Sequence, residues 1–345
     1  MPKNRSRSRA SRLGIAILLS IAPLSARAGA ACDFLAPWAG AERAKPAHPS
    51  SIREAGESVE AVAAGIRSSA DALYRLYRKG EVDERTLDDC FRSEGLDASP
   101  DFDAFRNAVP GAFFRASLAE FLALRGPVTE SFARALDERA RTGNLVLFRL
   151  TGHSANLASP TDEKAGFHRG ERSIFMDFGR IPANEWLLIF AHEYAHSLDP
   201  ALSDAMPIFA DPELRAKVDS LSRRTENVKA LSPEELADLD RWLIAGLDRG
   251  YLAEVRAWAL SFAIYEEGLA DGAWKPIAWM DSMLRDRRRG ETAIVFAARY
   301  LAPRFTDPEP TGVAADLFSR VLVRTRLKQI RIRLRSGEIA ISPVL

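Results

Sequence analysis

The sequence predicts an α+β protein, mostly helical, with a short sheet in its second half. Three observations lead there. Apolar residues recur at helical spacing through much of 52–142 and again after residue 184, whereas 144–150 and 173–178 are short runs with strand composition. Gly or Pro marks most changes of period, as at Gly95, Gly126-Pro127, Gly143 and Gly179. The chain has 345 residues, 47% hydrophobic and 28% charged, which is ordinary globular composition and length enough for about two packed units. The expected division falls near residue 142, between an N-terminal helical region (32–142) and a mixed region (143–345).

Residues 1–31 are set aside as a targeting segment. Lys3, Arg5, Arg7, Arg9 and Arg12 form a basic head, Leu13–Leu24 is an apolar run, and Ala26-Arg27-Ala28 or Ala28-Gly29-Ala30 offers small residues for cleavage. The run is too short to span a bilayer. An exported chain, periplasmic or secreted, without stable membrane insertion after cleavage, is therefore expected. The segment carries six of the 48 Lys and Arg, so the mature chain has 42 basic against 47 acidic residues, a net charge near −5. That balance gives no whole-protein attraction to nucleic acid.

The two cysteines, Cys32 and Cys90, can pair in an oxidising compartment. Two alternatives stay open at this point: lipidation of Cys32, which follows the small-residue stretch, and two free thiols. Residues 33–50, rich in Ala and Pro, are expected to be a linker. Val59, Val62, Ile66, Ala70, Leu73, Leu76 and Tyr77 then suit one buried helical stripe, and further helices are expected over 83–94, 112–125 and 128–141. After the strand at 144–150 comes a polar loop to Arg172, then a strand at Ser173–Phe178, then helices from about Asn184 to Leu198, from Ser232, and across Gly250 to Glu267. Ser232-Pro-Glu-Glu235 has the form of a capping box with proline at the first helical position.

Chemistry concentrates at His192-Glu193-Tyr194-Ala195-His196, inside the apolar run Trp186–Ala191. Two histidines four residues apart on a helix project from one face, so both imidazoles can reach one zinc ion. Glu193 lies roughly 100° round the helix, beside the ligands rather than among them, where its carboxylate can take a proton from the attacking water. A core helix with merely hydrogen-bonded histidines is the bland alternative.

These residues resemble the zincin metallopeptidases, in which an edge strand precedes the helix that carries this motif. The resemblance covers roughly 145–268 and implies a zinc cofactor, a peptide or protein substrate, and a strand, here 173–178, whose free edge holds an extended peptide. The metzincin branch is excluded, because Asp199 and Leu202 stand where it has Gly and His. The segment Tyr251-Leu-Ala-Glu254-Val-Arg-Ala-Trp258 is similar to the glutamate helix of the gluzincins, which implies Glu254 as third metal ligand. Many gluzincins carry an acid four residues further on, and here that position is Trp258. Asp199 is expected to orient a ligand histidine; Asp199 itself and Glu266 or Glu267 are the competing third ligands. Tyr251, one turn before Glu254, is the expected oxyanion donor.

The remaining features weigh less. His153 and His168 lie in the polar loop and His48 in the linker, and none has a partner motif. Ile330, Ile332 and Leu334 alternate with Arg331, Arg333 and Arg335, a period of two that suits a half-buried strand with a basic face. That face, with Arg285-Asp-Arg-Arg-Arg289, is either simply solvated or a docking strip for an anionic envelope component. Together the expectations are a zinc-dependent peptide hydrolase in which His192, His196 and Glu254 hold the metal and Glu193 and Tyr251 serve catalysis. A cell-wall peptide amidase and a zinc-retaining scaffold without turnover are the rivals.

Overall fold

The computed structural model describes residues 32–142, 147–151, 164–168, 173–199, 212–213, 216, 232–306 and 320–338. The targeting segment, His153, and the ends of the polar loop lie outside them. Within them the protein is α+β and mostly helical. After a 3-10 turn at Asp33–Leu35, the helices are α1 (Ala36–Arg43), α2 (Ile52–Lys79), α3 (Glu84–Glu94), α4 (Phe102–Ala123), α5 (Pro127–Arg141), α6 (Trp186–Leu198), α7 (Pro233–Ala270), α8 (Ala278–Leu284), α9 (Ala293–Thr306) and α10 (Arg320–Arg335). The strands β1 (Leu147–Thr151), β2 (Ala165–His168) and β3 (Ser173–Asp177) form one sheet in the order β1-β3-β2.

Local chemistry explains the clearest boundaries. The Ser51, Asp83 and Ser232 side chains accept from the backbone N–H of Glu54, Thr86 and Glu235, and Glu235 completes a capping box by accepting from the Ser232 N–H. Helices α2 and α3 stop at Gly80 and Gly95, both left-handed, where a side chain would be strained.

The structure changes four of the expectations. Residues 33–43 are not a linker: the Ala- and Pro-rich stretch folds as a turn and a helix because Phe34, Leu35 and Trp38 are buried among Phe91, Phe102 and Phe105. Helix α4 begins ten residues before the expected start and runs through Pro110, whose missing N–H costs one helical bond but does not end the helix. The strand at 173–177 is central rather than an edge, pairing parallel with β1 and antiparallel with β2, so its backbone is not available for an added strand. The basic C-terminal stretch is a helix: Ile330 and Leu334, four residues apart, are buried while Ile332 is 54% exposed, so period two gave way to the helical period.

Nor does the packing divide at residue 142. One apolar cluster runs from Phe34 on the first turn through α2, α4 and α5 to Trp186, Phe190 and Tyr194 of α6 and to Leu260 and Ile264 of α7. A second joins Leu188 of α6 to Tyr251, Val255 and Phe262 of α7, Phe296 and Leu301 of α9, and Ile330 and Leu334 of α10. Helices α6 and α7 contribute to both. Cys32 and Cys90 form a disulfide that ties the first turn to α3. A lipid thioether at Cys32 would need the same sulfur, so that alternative falls.

The far end of α7 is anchored as well. Glu267 accepts from the N–H groups of Val128 and Thr129 at 3.0 and 2.8 Å and from the Thr129 hydroxyl at 2.7 Å, which caps α5 with a carboxylate from another helix. Gly126 makes this possible, because a Cβ there would lie 2.0 Å from the Glu267 carboxylate. Glu267→Ala is expected to destabilise the fold by about 1–3 kcal/mol, leaving two backbone donors without an acceptor. Denaturant unfolding of the parent and variant checks it; equal midpoints would show that α5 is held without this cap.

Candidate metal centre

Helix α6 is apolar on nearly every side, and its position explains its polar residues. Trp186, Phe190 and Tyr194, spaced by four, face the N-terminal helices, where Trp186 packs on Tyr77 and Phe113 and Phe190 on Phe121. The indole N–H of Trp186 donates to the Ser117 hydroxyl at 2.9 Å. His192 and His196 fall roughly 200° from that stripe, toward α7. Glu193 is 7% exposed and lies between the two faces.

Helix α7 supplies the third group. The Glu254 carboxylate lies 3.5 Å from His192 Nε2 and 3.3 Å from His196 Nε2, and the two Nε2 atoms are 3.2 Å apart. Three groups able to bind a metal thus converge from two helices, with one ligand atom from each within 4.8 Å of the others. Donors bound to zinc at about 2.0–2.1 Å in a tetrahedral site are about 3.3–3.4 Å from one another, so the donor set fits zinc in type and the two Nε2 atoms, 3.2 Å apart, fit it in spacing.

The electrostatics follow from this convergence. Burial disfavours the charged form of the His192 imidazole, but the bond to Glu254 and the nearby Glu193 charge outweigh it and raise its pKa. Burial likewise acts to raise the Glu254 pKa, and the bonds to His192 and His196 overcome it, holding the carboxyl far below the usual carboxylate range. The Nδ1 atoms of both histidines are buried without a hydrogen-bond partner among the described residues. Their rings are held by packing instead: His192 lies 4.7 Å from the Trp258 ring, which in turn meets Trp279 edge-on at 6.1 Å.

Three expectations change here. Asp199, the residue after α6, does not bond a ligand histidine; its two oxygens accept from one Arg256 nitrogen at 3.2 and 3.1 Å. Tyr251 is fully buried in the second cluster and its hydroxyl donates to the Ala298 carbonyl on α9, so its donor is directed at the core rather than at an oxyanion. Glu266 pairs with Arg287 and Glu267 caps α5, so both carboxylates are engaged apart from the histidine pair. The pairing of Arg256 with Asp199, 57 residues away, has no signal in the sequence. The role of Trp258 does have one, since the spacing of four from Glu254 places that ring on the ligand face. His168 is the last residue of β2, level with Ser173.

No protein-family model, curated protein or solved structure matches the chain.

The geometry separates two carboxylates that sequence alone left in competition. Asp199→Ala is expected to destabilise the metal-free protein by about 2–4 kcal/mol, since it strands the mostly buried Arg256 charge. Glu254→Ala is expected to remove the stabilisation that added zinc confers. Unfolding with and without zinc measures both effects, and the opposite assignment follows if Glu254→Ala still responds to zinc and Asp199→Ala does not.

Proposed function

We propose that this chain is an exported zinc metallopeptidase of gluzincin-like type, hydrolysing peptide bonds in a peptide or protein substrate. The observation that carries the proposal is the convergence of His192 Nε2 and His196 Nε2, 3.2 Å apart, with the Glu254 carboxylate, whose two oxygens lie 3.5 and 3.3 Å from them. The HExxH spelling alone would be compatible with a buried helix of hydrogen-bonded histidines. A carboxylate from a distant helix aimed at both Nε2 atoms supports the metal reading instead.

Zinc held by these three residues would supply Lewis acidity, polarising the scissile carbonyl and acidifying an attacking water. Glu193 is the base. Its carboxylate, next to His192 in the chain and electrostatically coupled to it, takes the proton as the water oxygen bonds to the carbonyl carbon. The same carboxyl group then gives that proton to the departing amine nitrogen as the C–N bond breaks, leaving a carboxylic acid and an amine. Trp258, packed on His192, limits the movement of the ligand ring. An extended substrate would have to add at a free edge, and β2, on the outer side of β3 and against α6, replaces 173–178 in that role.

Export is supported by the Cys32–Cys90 bond, which suits an oxidising compartment such as the periplasm or the cell exterior. Among the described residues no helix is long and apolar enough to cross a membrane.

Glu193→Gln is expected to keep zinc while hydrolysis of casein or a peptide library falls by about 100-fold or more, because the amide keeps the shape and removes the base. Zinc content and turnover are measured on the same preparation. A fully active Gln variant would assign water activation to another group, and a variant without zinc would make Glu193 part of the metal site.

A further inference from the structure

Helix α10 carries seven Lys and Arg and no Asp or Glu between Arg320 and Arg335, in a chain whose mature form is net acidic. Ile330 and Leu334 seat one face of the helix in the second core cluster. Ile332 lies roughly 200° round the helix from Ile330 and is 54% exposed, one of few large apolar side chains so placed among the described residues. Lys328 and Arg335, four residues before it and three after, share its face and are exposed, as is Arg333, whose guanidinium pairs with Glu338 at 3.3 Å. In the other basic stretch Arg287 is bonded to Glu266 and to the Glu291 carbonyl while Arg285, Arg288 and Arg289 are exposed, but no exposed large apolar side chain lies among them.

We infer that the outer face of α10 is a docking surface for an anionic phospholipid bilayer. Charge alone suits any polyanion. An isoleucine at the centre of the basic face adds an apolar contact that acyl chains can take up and a soluble polyanion cannot, and that combination favours the membrane interface. The contact is peripheral: the buried face of the helix stays in the core, so the protein sits on the surface rather than entering it. Association brings the enzyme to the membrane and does not depend on metal at His192, His196 and Glu254.

The test uses the full mature chain and sedimentation with vesicles of phosphatidylglycerol mixed with phosphatidylcholine, and of phosphatidylcholine alone. The parent is expected to bind only the anionic vesicles, and less as salt rises. Lys328→Gln with Arg335→Gln is expected to weaken binding about tenfold or more. Ile332→Ser is expected to weaken it about threefold or more. All three positions are exposed, and unchanged melting curves would exclude a folding defect. No binding by the parent, equal binding to neutral vesicles, or binding indifferent to the charge pair would overturn the inference. So would a loss on charge removal with no effect at Ile332 and full displacement by a short oligonucleotide, which would assign the face to a soluble polyanion.

Discussion

Two buried imidazole nitrogens 3.2 Å apart, and a partly exposed carboxylate whose oxygens lie 3.5 and 3.3 Å from them, cannot all present lone pairs to a common point unless something positive lies among them. A proton can bridge only one pair at a time. A divalent cation satisfies all three at once, and it does so at the spacing that the two helices already impose. Much of the structure can be understood as what holds these three groups together against their mutual cost.

The fold does this by giving α6 and α7 neighbours on every side. Aromatic rings from α2 and α4 fix the back of α6 through Trp186 and Phe190, while α9 and α10 close over the other side of α7. The Asp199–Arg256 pair joins the end of α6 to α7 close to the ligands, and Glu267 pins the end of α7 to α5. The N-terminal helices therefore belong to the same packed body as His192, His196 and Glu254. Removing them would expose the faces of α6 that position its histidines. Among the described residues neither Nδ1 meets a carboxylate, so the orientation of the two histidine rings rests on packing, chiefly Trp258 on His192. This makes the site sensitive to changes in core volume.

How much of this the sequence disclosed depends on the range of the interaction. His192 and His196 were legible because helical periodicity alone brings residues four apart to one face. Glu254 was legible as a carboxylate in an apolar helix that needed a partner and was preferred on the gluzincin likeness, and the packing of α7 on α6 brings it, rather than Asp199, Glu266 or Glu267, to the histidines. The partner of Asp199 could not be read, since 57 residues separate it from Arg256 and no local pattern links them. Tyr251 was misassigned because one helical turn from a ligand can point into the core as readily as toward the site. At the C-terminus, Ile330, Ile332 and Leu334 alternate as in a strand while Ile330 and Leu334 alone also suit one helix face, and burial of that pair with α7 and α9 residues while Ile332 is exposed decides for the helix. The sheet order was hidden because β2 lies within a polar loop without the β-branched residues that mark a strand.

The most direct test of the central claim is the zinc content of the purified mature chain, measured by elemental analysis before and after addition of zinc. One zinc per chain is predicted, removed by a chelator and restored on addition, because three preorganised ligands should take up the metal. Fewer than about 0.2 zinc per chain with no gain on addition would contradict it, leaving His192, His196 and Glu254 as a hydrogen-bonded cluster in a helical core.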